Sequence, residues 1–84
     1  MQEAAPSSSP KPIHLSSGKK GVDYRIVELA GDKVLCRKLR EMGIRERMDI
    51  RIVISRKNLV CLSGGSRFAI SHLYAACIFV EPLA

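Results

Sequence analysis

Three cysteines, two histidines and one glycine pair are the residues of this 84-residue chain whose types could do chemistry. Cys36, Cys61 and Cys77 could ligate a metal as thiolates or close a disulfide, and His14 and His72 could join them. Their spacing argues against both. An odd number of cysteines without a C-x-x-C pair makes neither a disulfide framework nor a strong zinc site, and neither histidine stands at a ligand spacing from another donor. Direct binding of iron or zinc thus has no support in ligand spacing, and the one metal reading left is a weak surface contact through His72. Each cysteine lies within an apolar run, where a free thiol packs as a small hydrophobe. Ser71-His72 is a pair of sequence neighbours with no third group to orient it. Gly64-Gly65-Ser66 lacks the lysine and following helix of a phosphate-binding loop and reads as a hairpin turn. No catalytic residue and no cofactor is expected, and the chain reads as a non-enzyme.

The elements that would position these residues are plain along the middle of the chain. Asp32 is suited to cap a helix, because its carboxylate can accept the free N–H groups of the first turn, and Gly43 is placed to end it. Between them Leu35, Leu39 and Met42 recur at i, i+4, i+7, with Lys33, Arg37, Arg40 and Glu41 on the opposite side. The spacing predicts one short helix over 32–43. After it the period changes to two: Ile50, Ile52 and Ile54 share one strand face. Leu59-Val60-Cys61-Leu62 and Arg67-Phe68-Ala69-Ile70 are further strand runs, separated by the Gly64-Gly65 break. Ser71 to Ala76 is long enough for one helical turn, and Cys77 to Val80 is a last strand, ending where Pro82 removes an N–H from the ladder. Tyr24 to Leu29 precedes the helix as the first strand.

Five short strands and one helix in so short a chain fit a closed small barrel better than an open sheet with exposed edges. The expected fold is mainly β, a single domain over 13–84. Residues 1–12, rich in Ser and Pro without apolar periodicity, read as a disordered tail. No stretch approaches the roughly 18 apolar residues of a membrane span, and the first residues lack the apolar core of a secretion signal, so the cytoplasm is the expected location.

The chain carries a formal net charge of +6. Between residues 33 and 57, nine basic residues (Lys33, Arg37, Lys38, Arg40, Arg45, Arg47, Arg51, Arg56, Lys57) face three acids (Glu41, Glu46, Asp49), a difference of +6. On the outer side of the helix and the next strand they would form one basic surface. Three uses stand open: nucleic acid, an acidic protein, or a solvated face. Nucleic acid is the obvious partner to consider, but against it base-stacking barrels interleave aromatics, and here only Tyr24, Tyr74, Phe68 and Phe79 are available, both Phe reading as core.

The order of motifs resembles the FeoA family of small proteins of bacterial ferrous iron uptake. The resemblance rests on G-x-x-x-x-I-V-x-L at Gly21 to Leu29, L-x-x-M-G-I at Leu39 to Ile44, FAIS at 68–71 and A-x-I-x-V at Ala76 to Val80, with HLSSGKKG at 14–21 as a leading segment. It spans about residues 13 to 82. It implies an SH3-like barrel and a cytosolic accessory protein, without enzymatic activity, acting on a membrane ferrous-iron permease that bears a cytoplasmic GTPase domain. A weak homo-oligomer stays open. Together with the charge map the resemblance makes Arg37, Arg40, Arg51 and Arg56 the candidate partner-binding residues. Two alternatives remain: a small basic barrel binding nucleic acid, and a stand-alone relative of the C-terminal domain of iron-dependent repressors. The chain departs from the family pattern in having Glu46-Arg47 where a Pro-Gly-type turn is usual, so a left-handed residue there would be costly, and in a short hairpin around Asn58.

Overall fold

The computed structural model describes residues 11–83. Most of the expected tail, residues 1–10, lies outside the described residues. The described chain folds as a six-stranded antiparallel sheet with two short helices. Its elements are β1 (Ile13–His14), a 3-10 turn (Leu15–Ser17), β2 (Asp23–Leu29), α1 (Lys33–Glu41), β3 (Asp49–Ser55), β4 (Asn58–Ser63), β5 (Ser66–Ser71), α2 (His72–Ala75) and β6 (Ile78–Pro82). The strand order is β1-β6-β2-β3-β4-β5. This is an SH3-like fold, as expected, but the hydrogen-bonded ladder does not close: β5 stands at one end and β1 at the other.

The sixth strand is β1, which the sequence reading left out. It is two residues long, too short to show a period, and exists because Ile13 and His14 pair with Val80 and Phe79 of β6. The ladder also runs one residue beyond its expected end, since the Leu83 N–H donates to the Asp23 carbonyl at 2.9 Å. Alternate N–H groups of a strand point to opposite sides, so the N–H missing from Pro82 is one that β2 does not need.

Helix α1 begins at Asp32, whose carboxylate accepts the Leu35 N–H at 2.8 Å, and ends before Gly43, which has φ +94°. Leu39 is buried in a core that includes Tyr24, Ile26, Ile50, Ile52, Leu59, Ile70, Ile78 and Val80, while Leu35 is half-buried and Met42 packs at the rim. Two bulges reset which residues face that core. In β2 the register shifts between Ile26 and Glu28, which lets both Ile26 and Leu29 point inward. In β3 it shifts between Ile52 and Ile54, and Ile54 leaves the core, 43% exposed, against the alternation that placed it with Ile50 and Ile52. Phe68 and Phe79 are half-buried rather than core, and Phe79 packs on the His14 ring at a centroid distance of 4.6 Å.

The connection after α1 keeps a left-handed residue without a glycine. Arg47 has φ +72°, the one positive φ at a described non-glycine residue. It is held there by pairing with β2: the Arg47 N–H donates to the Ile26 carbonyl at 2.7 Å, and the Ile26 N–H to the Met48 carbonyl at 2.8 Å.

Candidate functional site

Of the chemistry-bearing residues, the cysteines and histidines are absorbed by the fold. Cys61 is buried, and burial pushes its thiol up to about 11. Cys36 and Cys77 are only half-buried, so for these two the expected core position holds in part. The Cys36 thiol donates to the Gly31 carbonyl at 3.3 Å. His14 reaches the Ala76 carbonyl through Nδ1 at 2.7 Å, and His72 the Arg56 carbonyl through Nε2 at 2.7 Å, each pinning a turn. Among the described residues no three His, Cys, Asp or Glu side chains are grouped so as to hold a metal ion.

The four candidate arginines occupy three places. Arg37 and Arg40, one turn apart on α1, line a shallow concavity of about 500 Å³ with Lys33, Cys36 and Glu41. Arg51 lines a different one of about 440 Å³, with Asp23, Asp49, Leu62 and the Gly64-Gly65 turn. Arg56 lies at the β3–β4 turn, five residues along from Arg51, a run of about 16 Å of strand. Arg37 and Arg40 thus share one concavity, and Arg51 lines another.

Their charges differ in availability as well. Arg51 makes a two-point contact with Asp23, at 2.7 Å and 2.9 Å. The Arg51 guanidinium holds the Asp23 carboxyl below the usual carboxylate range, and Asp23 in turn raises Arg51. Arg40 makes a two-point contact with Glu46, at 3.3 Å and 3.2 Å. Glu46 is lowered first by a hydrogen bond from its own backbone N–H and then by Arg40. A third pair, Arg25 with Asp49 at 3.0 Å, completes the charge pairing across β2 and β3. Among the described residues no carboxylate lies within salt-bridge distance of Arg37 or Arg56.

The sequence reading missed Val34. It is 75% exposed on the outer side of α1, between Lys33 and the next helical turn of Arg37 and Lys38. Its position one residue before Leu35, about 100° around the helix from the apolar stripe, is the signal that would have found it. The face of α1 turned away from the core therefore joins an exposed apolar side chain to Lys33, Arg37 and Lys38, none of which pairs with a carboxylate among the described residues.

The described chain is a small open SH3-like sheet with a cationic outer face on its longer helix. The comparisons define it further. The chain belongs to the FeoA family: the model of the FeoA domain matches residues 13–82. A crystal structure of an iron uptake regulatory protein, FeoA, is similar with 27% identity and a TM-score of 0.81, the match covering 88% of this chain and 100% of that one. The solution structure of iron(II) transport protein A from Clostridium thermocellum has 29% identity and a TM-score of 0.77, covering 84% of this chain and 46% of that one. A manganese-dependent transcriptional repressor in complex with manganese shares the fold at 18% identity and a TM-score of 0.83, but the match covers 38% of that chain against 89% of this one. Comparison with curated protein sequences finds no match.

Proposed function

We propose that this chain is a cytoplasmic accessory protein of ferrous iron uptake, without catalysis of its own, that docks on the cytoplasmic GTPase domain of a membrane ferrous-iron permease. Membership of the FeoA family supports the process, and the names of two similar structures, an iron uptake regulatory protein and an iron(II) transport protein, point the same way. The observation that carries docking is the outer face of α1, where Val34 is 75% exposed beside Lys33, Arg37 and Lys38. An apolar anchor ringed by cations suits an acidic, partly apolar partner surface: the anchor supplies burial and the rim charges supply orientation and association rate. Among the described residues no carboxylate pairs with Arg37, whereas Arg40 and Arg51 would first have to release Glu46 and Asp23. The repressor-domain alternative draws only on likeness of fold, and nucleic-acid binding draws on net charge alone, since Tyr24 is buried and the remaining aromatics are half-buried.

The test is binding to the purified GTPase domain together with ferrous-iron uptake in cells. Val34→Ser combined with Arg37→Glu and Lys38→Glu should leave the melting temperature near that of the parent and weaken both, while Arg51→Glu should leave docking unchanged. A folded triple variant that binds and supports uptake like the parent removes this face from the mechanism.

A further inference from the structure

The two ends of the sheet are unequally protected. At one end β1 is two residues long, and very short edge strands are a common protection against edge pairing. At the other end β5 is six residues long, pairs with β4 without a register shift from Asn58–Ser71 to Ser63–Ser66, contains no proline and bears one charge, Arg67. Its free backbone groups can be assigned. Gly64 and Gly65 have φ +58° and +84°, as a two-residue type I′ turn requires, so Ser63 and Ser66 exchange hydrogen bonds. Alternation then makes Cys61–Phe68 and Leu59–Ile70 hydrogen-bonded pairs too, and the N–H and C=O of Arg67 and Ala69 face away from β4. Both residues are exposed, and no other backbone group among the described residues bonds to them.

The geometry points to this edge as a self-pairing site: β5 takes β5 of a second copy, antiparallel, about a two-fold axis at Ala69. Three features favour a second copy. Ala69 opposite its own symmetry mate exchanges both backbone bonds and brings no bulk to the axis. Arg67 falls opposite Ser71 of the second copy, and the two arginines stand about four residues apart along the strands, about 13 Å, beyond the Debye length of about 8 Å at physiological salt. The register row Ile54, Val60, Ala69 on the outer face, with Ile54 43% exposed, continues across the axis into the same row of the partner as one apolar band. Such an interface is isologous and closes at two copies. It lies on β5, apart from α1, and stands or falls independently of docking on the permease.

The experiment is sedimentation equilibrium of the full chain from tens of micromolar to millimolar, with amide hydrogen exchange on the same samples. The mass should rise from one chain toward two, and the Arg67 and Ala69 amides should gain protection as it does. Ala69→Lys, which sets two ammonium-bearing side chains face to face, should remain one chain throughout. Ala69→Pro should do the same and keep its fold, because the N–H it removes faces the open edge. Arg67→Glu should keep the association. A parent that stays one chain at millimolar concentration, or an Ala69→Lys variant that associates like the parent, overturns the proposal. Loss of association in Arg67→Glu does so as well, because in the register about Ala69 that side chain faces Ser71 and no charge of the second copy.

Discussion

Ile44 donates its N–H to the Leu39 carbonyl at 2.9 Å, and both side chains are fully buried in the same core. With the Gly43 N–H donating to the Arg40 carbonyl at 2.9 Å, this is a Schellman ending of α1, and Gly43 sits at its left-handed position. The stop of the helix and its anchorage to the sheet are thus one feature. A side chain at Gly43 would meet only the Phe68 ring, at 3.9 Å, so its cost is conformational. Gly43→Ala should lower stability by about 1 kcal/mol, measured by urea denaturation, with far-ultraviolet circular dichroism unchanged.

Arg47 is the converse case. It carries φ +72° with a side chain, held by its bond to the Ile26 carbonyl. A left-handed L-residue costs roughly 1–2 kcal/mol, and the extra unfolded-state freedom of glycine returns part of that. Arg47→Gly should therefore raise stability by roughly 0.5–1 kcal/mol. An unchanged or lower urea midpoint would show that the Arg47 side chain makes up the difference.

Burial separates two residues that alternation groups together. Leu39→Ala should cost about 2–5 kcal/mol because the site is fully enclosed. Ile54→Ala should cost less than about 1 kcal/mol, because the bulge in β3 has moved Ile54 to the surface. Paired thermal melts of the two variants check the difference.

These contrasts show which parts of the fold are legible in sequence. Asp32, Leu39 and Gly43 could be placed because capping and helical period act within a dozen residues. The turn at Arg47 could be flagged as costly because a left-handed position disfavours any Cβ. What local pattern does not carry is pairing at a distance: β1 exists only through β6, a bulge is set by its partner strand, and Arg51 finds Asp23 from 28 residues away. A period of two tells on which face of β3 Arg51 lies. It does not tell that a carboxylate already occupies that face, which is why four arginines that look equivalent in sequence differ in availability.

The Asp23–Arg51 pair makes an acid-side prediction. Its guanidinium holds the Asp23 carboxyl below its ordinary value of 3.8, so the folded state binds this proton less readily than the unfolded state. The contribution is present above that ordinary value and is lost as pH falls through the lower folded one. The urea midpoint should drop between neutral pH and about pH 3, and Asp23→Asn should flatten part of that fall. Both side chains are about half exposed, so the pair accounts for only a small share of the total.

Cys61 makes the alkaline counterpart, and it also distinguishes the three thiols. Burial keeps it neutral up to about 11, whereas in the unfolded chain it ionises near 9.0. The folded state therefore holds this proton more tightly, a contribution fully present below the unfolded value and lost as pH rises through the folded one. Stability should decline between those two values, and less so in Cys61→Ala. Thiolate is the reactive form, so iodoacetamide at about pH 8 should label Cys36 and Cys77 in the native protein and reach Cys61 only as the core opens. Mass spectrometry of digested samples at increasing urea would then show Cys61 modified in step with global unfolding. Labelling of Cys61 at the rate of Cys36 without denaturant would place its thiol outside the core formed by β3, β4 and β5.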